Sequence, residues 1–263
     1  MRLTSERREA SVLSIVGLTK KFDQFTAVDG LDLEVRPGEL FGFLGPNGAG
    51  KTTTIKMICG LLRPTSGTVA VGGFDLAREP LRAKAILGLV PDDPVLYKKL
   101  TGREYVRFVG ELYSVPAAGL GKRIDQLLEM LDMTEQADNL IETYSHGMKQ
   151  KAALMAALVH DPKLVILDEP TVGLDPRSAR TVKDVLRALC TMGKTVFMST
   201  HILEIAERVC DRVAIINKGR LAAVGTMADL RSKSGEGGAS LEDIFLELTG
   251  GPEEQEVIKF LSQ

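Results

Sequence analysis

The sequence has no tryptophan, few aromatic residues and only three cysteines. Aromatic side chains make up 5% of the chain, too few for the stacking platform with which proteins bind single-stranded nucleic acids. The cysteines, Cys59, Cys190 and Cys210, stand far apart and form none of the close pairs that zinc sites use. They indicate buried thiols in a reducing compartment.

Long apolar runs are also missing. The longest uninterrupted run, Ala152–Val159, is far shorter than the roughly 18–20 residues that a membrane-spanning helix needs. The first residues, Met1–Ala10, mix charged and polar side chains, so we expect no secretory signal there. The sequence therefore predicts a chain without a membrane span of its own.

The remaining composition is that of a folded globular protein. Hydrophobic residues make up 44% of the 263 residues and charged residues 26%, close to the averages for such proteins. This apolar content excludes disorder for most of the chain, and a core of this size folds without a disulfide or a structural metal. The net charge of −2 argues against a protein dedicated to nucleic-acid binding. The length allows one large domain or two small ones.

Strand-like and helical segments alternate at both ends of the chain. We expect strands at Val12–Val16, Leu31–Val35, Leu40–Leu44, Thr68–Val71, Ile86–Val90, Leu164–Leu167, Thr195–Met198 and Val213–Ile216. Such alternation predicts a mostly parallel sheet. From Gly102 to about His160 the apolar spacing predicts helices only, which indicates a helical block inserted into that sheet.

The composition changes again near the end of the sequence. Ser232–Ala239 has the composition of a flexible linker. Ser240 and Asp243 then form a capping-box pattern, which predicts a short helix that ends near Gly250.

A glycine-rich turn between a buried strand and a helix is the strongest motif. It matches the phosphate-loop pattern GxxxxGK[ST] with Gly45, Pro46, Asn47, Gly48, Ala49, Gly50, Lys51 and Thr52. Glycines let backbone N–H groups converge on phosphate oxygens, and the helix N-terminus adds partial positive charge. Lys51 would contact the β- and γ-phosphates, and the Thr52 hydroxyl is placed to bind Mg²⁺. The alternative is a glycine-rich turn with a chance Lys-Thr pair.

Two adjacent carboxylates end the apolar run Leu164–Leu167. Ligands of open α/β sheets bind at the carboxyl ends of the strands, where Asp168 and Glu169 stand. One carboxylate can hold Mg²⁺ through water, and the other can orient or deprotonate an attacking water. A pair of solvated acids at a strand end is the alternative interpretation.

A third segment opens the helix that carries Met155. Ser145 is a plausible N-cap, and Gly147 exposes backbone N–H groups, which makes a second anion site. An ordinary capped helix is the simpler alternative.

These three segments, in this order, resemble the nucleotide-binding subunit of ABC transporters, and the resemblance covers roughly Leu13 to Gly250. The further matches are Thr53 at the end of the phosphate loop, Ser145 and Gly147 in the signature motif, Asp175 in the loop after the acidic strand, His201 as the switch histidine and Phe22 as the aromatic that stacks on adenine. The resemblance implies an α/β P-loop NTPase core with a mostly parallel sheet, an N-terminal antiparallel β layer and an inserted helical subdomain.

The same resemblance implies the domain boundaries. A polar tail at 1–11 precedes one ATPase domain at 12–250, and a C-terminal tail follows at 251–263. The helical subdomain occupies about 93–160. The tail from Glu253 to Gln263 is either a solvated helix or disordered.

The resemblance also implies a mechanism with ATP and Mg²⁺ as cofactors. Two ATPase subunits, identical or closely related, pair head to tail. Each ATP lies between the phosphate loop of one and the Ser145–Gly147 helix end of the other, and Asp175 contacts the opposite site. Glu169 polarises the hydrolytic water, and His201 holds the γ-phosphate and that water. Thr52 and Asp168 hold Mg²⁺.

A separate transmembrane permease is the implied partner, which places the chain on the cytoplasmic face of a membrane; nucleic acid is not expected. Competing functions are a non-transport ABC ATPase of translation or DNA repair, and a nucleotide-binding regulator without turnover. Translation factors of this type usually carry two such domains and repair proteins a long coiled coil, and neither is visible. Glu169, the water-activating carboxylate, argues against a regulator.

The sequence departs from the family pattern at two places. The signature motif of the family usually reads Leu-Ser-Gly-Gly-Gln. Here His146 precedes its glycine and Met148 follows it, a variant that is typical of exporter ATPases. After Pro91 the family places a Gln that touches Mg²⁺ and links the site to the membrane subunit, whereas this chain has Asp92 followed by Asp93. We expect Asp92 to contact Mg²⁺ through a water, and a role as a loop cap is the alternative.

Overall fold

The computed structural model describes residues 11–233 and 240–250, which form two β-sheets with helices packed around them. The strands are β1 Leu13–Phe22, β2 Phe25–Val35, β3 Leu40–Leu44, β4 Ser66–Val71, β5 Phe74–Asp75, β6 Leu87–Val90, β7 Leu164–Asp168, β8 Thr195–Thr200, β9 Arg212–Asn217 and β10 Arg220–Gly225. The helices are α1 Lys51–Ile58, α2 Pro80–Ala85, α3 Gly102–Leu112, α4 Ala117–Met130, α5 His146–Leu158, α6 Pro176–Thr191, α7 Leu203–Val209, α8 Met227–Lys233 and α9 Leu241–Thr249.

The larger sheet carries its strands in the order β10-β9-β3-β8-β7-β6. All neighbouring pairs are parallel except β10 with β9. Strands β3, β7 and β8 are buried along their whole length, as expected for central strands covered on both faces. The prediction of a mostly parallel sheet is confirmed. Because the carboxyl ends of β3, β7 and β8 meet at one edge, the residues that follow them are brought together there.

The smaller sheet is antiparallel, in the order β2-β1-β4-β5. Strands β1 and β2 form a hairpin whose register shifts between Ile15 and Leu18 and again near Lys20. Both strands are longer than the apolar stretches from which they are predicted. The additional residues, next to the hairpin turn, are paired but mostly exposed, so they lack the apolar pattern of a buried strand. The predicted N-terminal antiparallel β layer is confirmed.

Three helices, α3 to α5, fill the chain between β6 and β7. A capping box between Thr101 and Glu104 starts α3. Gly110 lets α3 and α4 approach closely, because a Cβ there would lie 2.6 Å from a methyl carbon of Leu120. The prediction of helices without a regular strand in this block is confirmed, apart from one isolated β-bridge between Thr101 and Leu140.

The sequence analysis missed β5, α2, β10 and α8. Strand β10 was missed because it is a half-exposed edge strand of Arg, Leu, Ala and Val rather than a buried run. Helix α8 begins at a reciprocal pair of hydrogen bonds between Thr226 and Asp229, a capping signal that we overlooked.

The linker prediction was wrong at its start, since Ser232 lies in α8; the stretch 234–239 and the two predicted tails, apart from Ser11, lie outside the described residues. The capped final helix is confirmed: the Ser240–Asp243 capping box opens α9, and Gly250 ends it in the left-handed conformation. Among residues 11–233 and 240–250, no helix has the length and apolar character that crossing a bilayer requires.

Candidate active site

The loop Gly45–Gly50 joins buried strand β3 to helix α1, and two of its glycines, Gly45 and Gly50, are sterically required. A Cβ on Gly45 would lie 2.5 Å from the carbonyl oxygen of Ile216 on β9. Gly50 has φ +107°, and its Cβ would lie 2.6 Å from the carbonyl oxygen of Ala27 on β2. Real Cβ atoms do not approach backbone oxygens so closely, so side chains at these positions would displace the loop.

The turn between β9 and β10 fastens this loop to the smaller sheet. The amide of Gly219 donates to the carbonyl of Ala49 at 2.9 Å, and the carbonyl of Gly219 accepts from the amide of Asp29 at 2.9 Å. The phosphate loop therefore rests against both sheets.

Lys51, the first residue of α1, points its ammonium group into this loop. Its Nζ donates to the carbonyls of Gly45 at 2.7 Å and Pro46 at 3.4 Å, and the side chain is only 8% exposed. A third neighbour is the carboxylate of Glu169, with 3.6 Å between Nζ and Oε1. A buried ammonium group thus lies between the loop and the Glu169 carboxylate, where it could bind a phosphate held by the loop.

Asp168 ends β7, and Glu169 begins the turn that follows it. Asp168 is 3% exposed, and its Oδ1 accepts a hydrogen bond from Ser199 Oγ on β8 at 2.5 Å. Glu169 has φ +50°, a left-handed backbone that non-glycine residues seldom adopt. The turn directs the two side chains differently: the Asp168 carboxylate contacts β8, whereas that of Glu169 reaches towards Lys51 and His201.

The Glu169 carboxylate is bound by His201, which directly follows β8. The His201 amide donates to Oε2 at 3.2 Å, and Nδ1 lies 3.0 Å from Oε1. The Glu169 side chain is 11% exposed, whereas that of His201 is 48% exposed and reaches the surface of the site. Glu169 therefore contacts both Lys51 and His201, two residues that were predicted from distant segments.

Asp92 lies close enough to Asp168 and Glu169 for their negative charges to affect its pKa. Partial burial raises the pKa of its carboxyl group, and the carboxylates of Asp168 and Glu169 raise it further. Thr52, one residue after Lys51, is exposed on the first turn of α1. Within the described residues no cluster of three or more acidic, histidine or cysteine side chains could hold a metal alone. The Thr52 hydroxyl and the carboxylates of Asp92 and Asp168 offer only a few oxygen ligands. Such a small set fits Mg²⁺, which proteins bind through one or two carboxylates, waters and substrate phosphates.

Ser145, Gly147 and Asp175 form a second group. Ser145 caps α5 by accepting from the amide of Met148 at 3.2 Å. Asp175 caps α6, and its hydrogen bonds to Ser178 lower the pKa of its carboxyl group. A Cβ on Gly147 would lie 3.4 Å from Ser178 Oγ, so the two helix starts are adjacent.

Within the described residues, no hydrogen bond or ion pair joins the side chain of Ser145 or Asp175 to Lys51, Glu169 or His201. The predicted site residues therefore fall into two separate groups on this chain, one around the phosphate loop and one at the starts of α5 and α6.

Phe22 lies at the end of β1, next to the hairpin turn, and is 45% exposed. The ammonium of Lys20 lies 4.9 Å from the centre of its ring. The ring thus offers a solvent-accessible aromatic face. Thr53, the last predicted loop residue, is half-buried on α1.

Ser199 was not predicted as a site residue. The predicted strand ends at Met198, whereas β8 continues through Ser199 to Thr200. The signal that identifies Ser199 is its register opposite Asp168 in the parallel pair of β7 and β8, and register between strands far apart in sequence is not visible in a single sequence.

Comparisons with known proteins agree with this geometry. The sequence profile of a family described as ABC transporter matches residues 28–172. The linearmycin resistance ATP-binding protein LnrL of Bacillus subtilis is 42% identical over 224 residues, which cover 85% of this chain and 72% of the relative. The Nod factor export ATP-binding protein I of Ralstonia nicotianae is 39% identical over 219 residues, which cover 83% and 68%.

A solved structure of the ATP binding subunit of an ABC transporter superposes with a TM-score of 0.86 at 34% identity. The match covers 90% of this chain and 99% of that structure. These similarities support a transport function and give no support to the non-transport alternatives.

Proposed function

The chain belongs to the ABC transporter family as one of its ATP-binding subunits, and we propose that its phosphate loop and carboxylates hydrolyse MgATP to drive export. In this family ATP hydrolysis powers transport. The observation that carries the proposal is that the Glu169 carboxylate contacts both Lys51, whose ammonium group faces the phosphate loop, and His201.

ATP would bind with its phosphates on the amides of the phosphate loop. The Lys51 ammonium, which already faces this loop, supplies the full positive charge, and the N-terminus of α1 adds its dipole. Phosphate oxygens would replace the carbonyls of Gly45 and Pro46 as partners of Lys51. The exposed ring of Phe22 would stack on the adenine.

Thr52, Asp168 and Asp92 are the residues that we assign to Mg²⁺, Asp92 through a water. Bound Mg²⁺ neutralises negative charge on the phosphates. Burial raises the pKa of Asp92, the negative charges of Asp168 and Glu169 raise it further, and a bound cation would offset the repulsion that these two charges exert on Asp92.

Glu169 is assigned as the general base. It accepts a proton from the attacking water, and His201 holds the carboxylate in place through its amide and Nδ1. Because Nδ1 faces Glu169, Nε2 points away from it, and when both ring nitrogens carry protons Nε2 would donate to the γ-phosphate.

The second group of residues, Ser145, Gly147 and Asp175, would complete the site of another ATPase subunit. Helix α5 presents a capped N-terminus, and Asp175 lies beside it. A head-to-tail pair, either of two copies or of two close relatives, places this N-terminus opposite the phosphate loop of its partner. ATP then closes the pair, and hydrolysis opens it.

A groove beside Asp92 is the surface that we assign to a separate membrane-spanning subunit. Its volume is about 170 Å³, and its lining includes Pro91, Pro94, Val95, Tyr105 and Tyr113. Val95 is 90% exposed, unusual for a valine. ABC ATP-binding subunits work with transmembrane subunits, and a segment seated here would lie next to the carboxylates. The chain would then act on the cytoplasmic face of the membrane, and the names of its relatives favour export.

The test is Mg²⁺-dependent ATP hydrolysis by the purified full chain. Lys51→Ala should abolish binding of a fluorescent ATP analogue and turnover, whereas Lys56→Ala, which removes an exposed lysine from the same helix, should change neither. A Lys51→Ala protein that hydrolyses ATP as well as Lys56→Ala would contradict the proposal.

The proposed membrane partner is tested by Val95→Asp. This variant should no longer co-purify with a membrane subunit in detergent, while keeping its ATPase activity.

A further inference from the structure

We propose that Ser199 is a positioning residue that sets the geometry of both Asp168 and Glu169. This inference rests on the function proposed above for those two carboxylates. Ser199 is the residue of β8 paired with Asp168 in the parallel sheet, and it is completely buried.

The Ser199 hydroxyl makes two bonds of opposite polarity. It donates to Asp168 Oδ1 at 2.5 Å and accepts from the Glu169 amide at 3.1 Å. A hydroxyl has one proton, so donation to Asp168 leaves only lone pairs for the amide. One side chain therefore fixes the rotamer of the first carboxylate and the backbone of the second.

The backbone of Glu169 needs this support. Its φ of +50° is unfavourable for a residue with a Cβ, and such conformations persist where surrounding contacts impose them. The amide of Glu169 is held by both Ser199 Oγ and the Ser199 carbonyl, the latter at 3.2 Å. Two residues further along, His201 holds the carboxylate of the same residue. The segment 199–201 thus holds both the backbone amide and the side-chain carboxylate of Glu169.

Removal of the hydroxyl should leave the Asp168 oxygen and the Glu169 amide with fewer partners. Both groups would then sample other orientations, and the carboxylates would be misplaced relative to the phosphates and Mg²⁺. Loss of such a supporting hydrogen bond typically costs about 10- to 100-fold in activity or metal affinity.

Thr195, at the other end of β8, provides a matched control. It is 1% exposed, and its hydroxyl also makes one bond of each kind, accepting from the Gly38 amide at 2.9 Å and donating to the Arg36 carbonyl at 3.4 Å. Thr195→Val and Ser199→Ala therefore each delete one buried hydroxyl from the same strand, but only Ser199 touches the carboxylates.

The experiment compares Ser199→Ala, Ser199→Thr and Thr195→Val in the full chain. It measures kcat, KM for ATP, the Mg²⁺ concentration for half-maximal activity, binding of a fluorescent ATP analogue without Mg²⁺, and the thermal unfolding midpoint. We expect Ser199→Ala to lower kcat about 10- to 100-fold and to raise the Mg²⁺ requirement, with metal-free analogue binding changed less than about twofold. Thr195→Val should lower the thermal unfolding midpoint about as much as Ser199→Ala does. It should leave kcat and the Mg²⁺ requirement near wild type.

Rescue separates positioning from packing. Ser199→Thr keeps the hydroxyl and should recover most of kcat; if it recovers none while folded, the hydroxyl does not position the carboxylates. Equal kcat in Ser199→Ala and Thr195→Val would also overturn the inference. Ser199→Cys, a weaker donor of similar shape, replaces the alanine variant if that variant does not fold. If wild-type protein hydrolyses no MgATP, the proposed function itself fails, and if Glu169→Gln keeps wild-type turnover, only the role of Glu169 fails; both outcomes are separate from the role of Ser199.

Discussion

Replacing Glu169 with Gln isolates the step that the proposed mechanism depends on most. The two side chains have the same shape, and both carry a Cβ at the left-handed φ of +50°, so the backbone strain is unchanged. The Gln carbonyl oxygen can still accept from the His201 amide, which lies 3.2 Å from the present carboxylate. The change therefore removes the proposed base and its negative charge while keeping the shape of the side chain.

The size of the effect follows from these contacts. Loss of general-base catalysis typically lowers the rate about 10²- to 10⁴-fold. Nucleotide binding should survive, because Lys51 and the loop amides remain. Affinity for ATP should stay equal or increase, because Lys51 loses the competing carboxylate that now lies 3.6 Å away.

The assay is release of phosphate under multiple turnover, with gel filtration in ATP and in ADP. We expect almost no turnover and an ATP-bound dimer that ADP does not support. Glu204→Gln, the same change at an exposed position on α7, is the control and should behave as wild type. Turnover of Glu169→Gln within about threefold of wild type would refute the role of Glu169, since it falls far short of the loss of a general base.

Three further experiments test other parts of the site. Gly50→Ala places a Cβ where φ is +107° and the neighbouring strand leaves no room; it should abolish ATP-analogue binding and cost about 1–3 kcal/mol of stability in thermal unfolding, and a normal affinity would contradict the loop geometry. Lys51→Ala and Ser145→Arg proteins, each inactive alone, should regain partial ATPase activity when mixed, because one composite site per dimer is intact; no recovery would argue against a shared site. Asp92→Asn should raise the Mg²⁺ concentration for half-maximal ATPase while Asp93→Asn changes it little; equal, negligible shifts would leave Asp92 without a metal role.

The sequence was sufficient to predict those parts of the fold and site whose structure depends on neighbouring residues in the chain. The phosphate loop was identifiable because its glycines, lysine and flanking strand form one continuous segment. The capping box at Ser240 and the helical block between β6 and β7 were likewise visible in local spacing. The resemblance to a known family placed Glu169 and His201 in one site before any distance was known, and the structure brings them into contact.

What escaped prediction depends on pairing between distant segments. Strand β10 has no buried face of its own and becomes a strand only by pairing with β9. Ser199 appeared to be the polar end of a strand, because its importance comes from its register opposite Asp168.

The bond between Ala49 and Gly219 also constrains how the protein matures. Ala49 leaves the ribosome roughly 170 residues before Gly219, at a synthesis rate of about 5–20 residues per second. Until β9 and β10 have formed, the phosphate loop lacks one of the surfaces that hold it, whatever its local sequence favours. Contacts of such long sequence separation slow folding, because the entropy of closing the loop is lost before the contact forms. Tight ATP binding should therefore require almost complete folding, and protection by nucleotide should appear late in refolding.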